Sequence, residues 1–132
     1  MFITQEADCA VRIVACLAAA KGLRLDAAEI SHRASVSQRF ALKILRKLVA
    51  GGIALSFKGR SGGYVLAREP AEITLCEVIE TVDGPYALSR CLREDKRDCG
   101  LAGELCVFRD IYAEISEDVS KRLESVNFGR FA

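Results

Sequence analysis

Apolar residues near the N-terminus recur in steps of three and four, at Ala10, Val11, Val14, Leu17 and Ala18. This spacing places them on one face of a helix. Thr4 precedes the pattern and is suited to cap a helix N-terminus, whereas Gly22 follows it. The pattern therefore predicts a first helix over residues 5–21.

Two shorter helices are predicted next. Asp26-Ala27-Ala28-Glu29 is a capping-box pattern that begins a helix ending near residue 34, and Ser35-Val36-Ser37 provides a turn and a cap for another over residues 37–50. The second of these helices has two different faces, one apolar with Ala41, Ile44, Leu45 and Leu48, the other basic with Arg39, Lys43, Arg46 and Lys47. Two short helices joined by a tight turn form a helix-turn-helix unit.

A small β-wing and a further helix follow. Residues 53–57 alternate as a strand would, residues 58–63 are a glycine-rich turn, and residues 64–67 predict a second strand. Thr74-Leu75-Cys76-Glu77 is another capping box, for a helix that Gly84-Pro85 ends. Residues 89–103 show no period and predict an irregular loop.

The C-terminal region carries an apolar seam in steps of three and four, formed by Leu105, Phe108, Tyr112, Ile115, Val119 and Leu123. A helix over residues 104–125 would be about 33 Å long at about 1.5 Å per residue, which exceeds what a small core needs. We therefore expect the seam to contact the same helix of a second subunit. The predicted fold is mainly α with a small β-wing: a winged helix-turn-helix domain over 1–85, a cysteine-bearing loop over 86–106, and a dimerisation helix and tail over 104–132.

Charge is unevenly distributed along the 132 residues. Residues 31–68 hold eight of the 19 Lys and Arg residues and none of the 18 Asp and Glu residues. Such a basic region is typical of a surface that binds nucleic acid, although a solvated basic surface is the alternative. An enzyme is not expected, because no general-base constellation accompanies the single histidine, His32.

Residues expected to bind double-stranded DNA lie on the second helix of the pair and on the wing. Ser37, Gln38 and Arg39 would meet base edges in the major groove, and Lys43, Arg46 and Lys47 would hold phosphates. Lys58 and Arg60 lie in the turn of the wing, where glycine neighbours would let Arg60 enter a minor groove.

Six cysteines suggest further chemistry. The N-terminus has no basic lead and the chain has no long apolar run, so we expect a cytoplasmic protein without a membrane span and with reduced thiols. Cys16 and Cys76 fall within amphipathic helices and are expected to pack. Cys91, Cys99 and Cys106 could hold an iron-sulfur cluster or zinc, form a thiol switch, or fill small apolar spaces.

Three stretches closely resemble the winged-helix transcription regulators of the Rrf2 family: residues 28–48, the wing motif Gly59-Arg60-Ser61-Gly62-Gly63-Tyr64, and residues 73–84. The family includes IscR, NsrR, RirA and CymR. The resemblance implies a homodimer that binds a near-palindromic operator, and RNA polymerase is a further candidate partner.

The resemblance also implies an iron-sulfur cluster, [4Fe-4S] or [2Fe-2S], held by Cys91, Cys99 and Cys106. The spacing of seven and six intervening residues departs from the five-and-five pattern common in cluster-binding members. The histidine that follows the third cysteine in IscR is absent, but Asp8 and Arg12 match the ligand aspartate and the arginine of the NsrR branch.

The function implied is a regulator, such as a repressor, whose operator affinity is controlled by a cluster that senses nitric oxide, redox state, oxygen or iron. The alternative is a cluster-free regulator of the CymR kind, controlled by thiol oxidation or by a partner protein.

Overall fold

A computed structural model describes residues 3–93 and 107–132. In these ranges the chain forms six α-helices and two strands: α1 (Gln5–Ala19), α2 (Ala27–Ala34), α3 (Gln38–Ala50), β1 (Ala54–Phe57), β2 (Gly63–Leu66), α4 (Leu75–Asp83), α5 (Arg90–Arg93) and α6 (Val107–Glu124). Short 3-10 turns occur at Pro70–Glu72 and Phe128–Phe131. The predicted fold class, mainly helical with a small β-wing, is confirmed.

Local capping residues begin the four helices of the N-terminal region. The side chains of Thr4, Asp26, Ser37 and Thr74 each accept a hydrogen bond from the backbone N–H three residues later, at 3.0, 2.8, 3.2 and 3.1 Å. These bonds satisfy N–H groups that have no partner within the helix. At its other end α1 stops two residues before the predicted boundary, because Lys21 and Gly22 adopt positive φ.

The wing is an antiparallel hairpin in which Ala54 pairs with Leu66 and Phe57 with Gly63. Leu25 extends the pairing on the other side of β2, since its backbone exchanges two hydrogen bonds with Tyr64. This close approach requires glycine at position 63, where φ is +135° and a Cβ would lie 2.8 Å from the carbonyl oxygen of Leu25. Gly63, the third glycine of the wing motif, is therefore required by backbone packing.

The core lies between α1, α3 and α4. The buried residues of α1 are Ala7, Cys9, Ala10, Ile13, Val14, Leu17 and Ala18. Those of α3 are Ala41, Ile44, Leu45 and Leu48, the predicted apolar face. Because that face is buried against α1 and α4, the opposite face of α3 is turned outward.

The tail after α6 returns to this same core. Phe128 is 2% exposed, and its N–H donates to the carbonyl oxygen of Ile73 at 3.1 Å. The N–H of Leu75 donates to the carbonyl oxygen of Val126 at 2.8 Å. The sequence did not predict this packing, and it ties the C-terminal end of α6 to the beginning of α4.

Part of the predicted irregular loop is helical, since α5 forms one turn over Arg90–Arg93. Leu105, Cys99 and Cys106 lie outside the described residues. Of the three cysteines expected to hold a cluster, Cys91 is therefore the one whose position the structure describes.

Candidate nucleic-acid interface and cysteine-bearing segment

The predicted DNA-reading side chains of α3 lie together on its outer face. The exposed members of this set are Ser37, Gln38, Arg39, Lys43 and Arg46. Ser37 caps the helix, so Gln38 and Arg39 occupy its first turn. The helix thus presents Gln38 and Arg39 at its N-terminal end and further cations along the same face, an arrangement that suits entry into a major groove.

Lys47 is the exception among the predicted cations of α3. Its ammonium lies 2.7 Å from Oε1 of Glu6 on α1 and 3.4 Å from the carbonyl oxygen of Val82 on α4. The structure therefore places this side chain between helices and apart from the exposed cations.

The wing presents Lys58 and Arg60 in its exposed turn. Arg24, which the sequence did not single out, supports this turn: its guanidinium donates to the carbonyl oxygen of Ser61 at 2.9 Å and lies 3.8 Å from the ring centroid of Phe57. Both contacts are favourable for an arginine. No sequence signal points to Arg24, because its contacts join residues far apart in the chain.

Arg12 organises the first turns of α1. Its guanidinium lies 3.2 Å from a carboxylate oxygen of Asp8, 3.2 Å from Sγ of Cys9, and 2.9 Å from the carbonyl oxygen of Ala34. The side chain of Asp8 is 61% exposed, so its carboxylate is accessible while Arg12 orients it. The two residues that match the NsrR branch, Asp8 and Arg12, thus form an ion pair one turn apart on α1.

Cys91 lies on α5, half-buried, with its Sγ 3.2 Å from the hydroxyl oxygen of Ser89. The backbone just before it is attached to α6, because the N–H of Leu88 donates to the hydroxyl of Ser116 at 2.8 Å. Ser116 in turn donates to the carbonyl oxygen of Tyr112 at 2.7 Å and is the buried polar residue of the described chain. Ser116 thus positions the segment that carries Cys91.

The two cysteines expected to pack have raised pKa values. Burial raises the pKa of the Cys16 thiol. Burial, and then the negative charge of Glu80, raise the pKa of Cys76 to about 11. Both thiols therefore remain protonated near neutral pH, which favours packing over metal binding because metal ligands are thiolates.

Residues 3–93 and 107–132 contain no group of three or more His, Cys, Asp or Glu side chains placed to hold a metal ion. Two of the four predicted ligands, Cys99 and Cys106, lie outside these ranges. The other two, Cys91 and Asp8, lie on different helices, α5 and α1.

The predicted apolar seam of α6 divides into two parts. In its N-terminal half Phe108, Tyr112 and Ile115 are exposed, and so are Val107 and Ile111, which the predicted seam did not include. Further along, Val119 is half-buried and Leu123 packs against the core of its own chain. The exposed apolar surface is therefore concentrated at the end of α6 that begins at Val107.

Within the described part of the chain, no helix combines the length and the apolar character needed to cross a membrane.

A family model described as "Rrf2: Iron-dependent Transcriptional regulator" matches residues 3–132. Protein aau3 of Rhizobium meliloti is 34% identical over 102 residues, which cover 76% of this chain and 66% of that protein. The HTH-type transcriptional regulator IscR of Xenorhabdus nematophila is 30% identical over 100 residues, covering 76% of this chain and 59% of that protein. The matches thus span less than two thirds of the length of these relatives.

Among solved structures, CymR, the global cysteine regulator of B. subtilis, superposes with a TM-score of 0.78 and covers 100% of this chain and 98% of that chain. The two sequences are 21% identical. At this identity the likeness concerns the fold alone.

Proposed function

Because this chain belongs to the Rrf2 family of DNA-binding transcriptional regulators, we propose that it is a dimeric regulator whose operator affinity is set by an iron-sulfur cluster. The resemblance inferred from its motifs is confirmed at the level of the family, since the family model covers nearly the whole chain. The family consists of regulators and not of enzymes, as the sequence predicted.

The observation that carries the DNA-binding part is the outward face of α3 with its exposed Gln38, Arg39, Lys43 and Arg46. In the proposed complex Gln38 and Arg39 approach base edges, and the later cations contact phosphates. The wing turn, held by Arg24, brings Lys58 and Arg60 to the adjacent backbone or minor groove.

The proposed cluster ligands are Cys91, Cys99, Cys106 and Asp8. Thiolates are the usual ligands of iron-sulfur clusters, and an accessible carboxylate oriented by Arg12 suits a fourth, more weakly bound position. When bound, a [4Fe-4S] or [2Fe-2S] cluster would supply a group that reacts with nitric oxide or oxygen. Its oxidation level would follow the redox state, and its occupancy would follow the supply of iron. The description of the matching family as iron-dependent and the IscR relative support this part of the proposal.

Regulation requires that the cluster bind two conformations of the protein with different affinity. A ligand that binds both conformations equally does not change the equilibrium between them. The segment with Cys91 contacts α6 through Ser116, and Asp8 lies in the first turn of α1. A cluster held by both would therefore join the segment after α4 to the helix on which α3 packs.

The experiment is anaerobic purification followed by measurement of iron, acid-labile sulfide, the visible spectrum and DNA affinity. A DNA duplex selected by the protein from a random pool serves as the operator. We expect a coloured protein with iron and sulfide, whose affinity for that duplex changes when the cluster is removed. Cys99→Ser should abolish the colour. The matched control Cys16→Ala should keep the colour, because Cys16 lies on α1 and packs against the hydrophobic core.

The role of Asp8 is tested separately. If Asp8 is the fourth ligand, Asp8→Ala retains a cluster with an altered spectrum and faster loss, and its DNA affinity no longer follows the state of the cluster. An Asp8→Ala protein with the wild-type spectrum and an intact DNA response would exclude this role, and Cys9 would be the next candidate.

A protein that remains colourless and free of iron after reconstitution would favour the second candidate, a cluster-free regulator controlled by thiol oxidation or by a partner protein. The observation that favours this candidate is the spacing of Cys91, Cys99 and Cys106, which departs from the five-and-five pattern common in cluster-binding members. Oxidation with a mild disulfide reagent would then change the DNA affinity if thiols are the switch, and leave it unchanged if a partner protein is.

A further inference from the structure

Lys47 belongs to the basic stretch of the sequence, but its surroundings differ from those of the other cations of α3. Arg39, Lys43 and Arg46 are exposed, whereas Lys47 is half-buried. Its ammonium is close to Glu6 of α1 and to the carbonyl oxygen of Val82 of α4, so it touches two of the three helices against which α3 packs.

The contact with Glu6 compensates a buried charge. The side chain of Glu6 is 19% exposed, and its Oε1 has no contact with solvent and accepts no aligned hydrogen bond within the described residues. The ammonium of Lys47, 2.7 Å away, is therefore the group that offsets the charge on this oxygen. The pair is only partly buried, since 38% of the Lys47 side chain is exposed, but removal of Lys47 would leave the enclosed Oε1 of Glu6 without a compensating charge.

The contact with Val82 lies at the C-terminal end of α4, which ends at Asp83. Carbonyl groups in the last turn of a helix have no donor within the helix, and a cation is favourable there. A second bond joins the same end of α4 to α1, since the hydroxyl of Thr4 donates to the carboxylate of Asp83 at 2.8 and 2.9 Å. The start of α1 and the end of α4 are thus bonded to each other, and Lys47 of α3 contacts both.

From this geometry we propose that Lys47 is a positioning residue, which sets the orientation of α3 against α1 and α4 and makes no contact with DNA phosphate. The inference rests on the proposed DNA-binding function. Lys43, four residues earlier on the same helix, is instead proposed to contact DNA phosphate.

The test compares the charge-removing variants Lys47→Met and Lys43→Met on a duplex selected by the wild-type protein. The dissociation constant is measured at several salt concentrations. Lys43→Met should lower the slope of log affinity against log salt by about one, because a lost phosphate contact releases one fewer counterion. Lys47→Met should keep the wild-type slope and lose about tenfold in affinity at every salt concentration. A loss of this size is typical when a residue affects a binding site without contacting the ligand.

Glu6→Gln separates the two roles of Lys47, because they predict opposite changes in DNA affinity. Glu6 lies on α1, away from the exposed face of α3. If Lys47 contacted phosphate, removing the neighbouring negative charge would leave the affinity unchanged or raise it. If Lys47 positions α3, Glu6→Gln should weaken binding without changing the slope. The double variant Glu6→Gln/Lys47→Met should then be no weaker than the worse single variant.

Lys47→Arg keeps the charge and should retain more affinity than Lys47→Met; if Lys47→Met fails to fold, Lys47→Arg and Glu6→Gln carry the test. A fall in salt slope for Lys47→Met equal to that for Lys43→Met, or unchanged or tighter binding by Glu6→Gln, would overturn the inference. Absence of iron from the protein would contradict the proposed cluster and leave these comparisons unaffected, so the two failures are distinguishable.

Discussion

Helices α1 and α6 are both amphipathic, but their apolar faces have different surroundings. The 15 residues of α1 bury seven side chains within the core of the chain. The 18 residues of α6 bury one, Ser116, and α6 exposes five large apolar side chains near its N-terminal end. The same spacing of apolar residues thus marks a covered face in one helix and an open face in the other.

The difference shows that periodicity identifies an apolar face without identifying what covers it. The face of α1 is covered because α3, α4 and the tail pack around it. No described residue covers the face that includes Phe108 and Ile115. A contiguous exposed apolar surface of this kind is typical of an interaction site, and a second copy of α6 is the partner we expect.

Among variants that test this difference between α1 and α6, Ile115→Glu should have the greatest effect. A charge on the exposed apolar face should separate the subunits. Each monomer would then bind one half-site of the operator, without the higher affinity that two linked DNA-binding domains provide. We expect monomers in sedimentation and a loss of about 100- to 10,000-fold in operator affinity. The control Lys121→Glu changes the charge of the same helix at a well-exposed position and should remain dimeric. A dimeric Ile115→Glu protein would place the interface elsewhere.

The second effect concerns the covered helix. Ile13 is fully buried, so Ile13→Ala should lower the free energy of unfolding by about 2–5 kcal/mol through lost burial and a residual cavity. Chemical denaturation should show this loss at every protein concentration. Ile115→Ala should instead destabilise mainly at low concentration, where weakened association matters. Equal concentration dependence of the two variants would contradict the distinction.

A smaller, local effect is expected at the buried hydroxyl of α6. Ser116→Ala removes the acceptor of the Leu88 N–H, and loss of this partly buried hydrogen bond should cost about 0.5–1.5 kcal/mol. Hydrogen exchange at Leu88 should accelerate, while exchange in α1 stays at its wild-type rate. Ser120→Ala, one turn later on α6, is the matched control. Unchanged exchange at Leu88 would show that Ser116 does not hold this segment.

The smallest effect is expected in the wing, which contributes to neither apolar face. Arg60→Ala should reduce the salt slope of operator binding by about one and leave both the dimer and the stability of the chain unchanged. Titration with the selected duplex at several salt concentrations measures the slope. A variant with the wild-type affinity and slope would remove Arg60 from the DNA interface.

Features that depend on neighbours along the chain could be predicted from the sequence. The caps Thr4, Asp26, Ser37 and Thr74 bond to N–H groups three residues away, so short motifs were sufficient to place four helix starts. The apolar and basic faces of α3 follow from the helical period, and the glycines of the wing motif mark its turn. These local patterns, together with the family resemblance, were enough to predict the winged helix-turn-helix fold.

Only the tertiary structure determined which distant partner each polar side chain contacts. Lys43 and Lys47 have the same chemistry and lie one turn apart, yet Lys47 meets Glu6, which is 41 residues earlier in the chain. Ser116 meets Leu88, Arg24 meets Ser61, and the tail meets the start of α4 across similar separations. Contacts of this kind depend on how whole helices pack, because the partner is fixed by the path of the chain and not by any pattern near the residue itself.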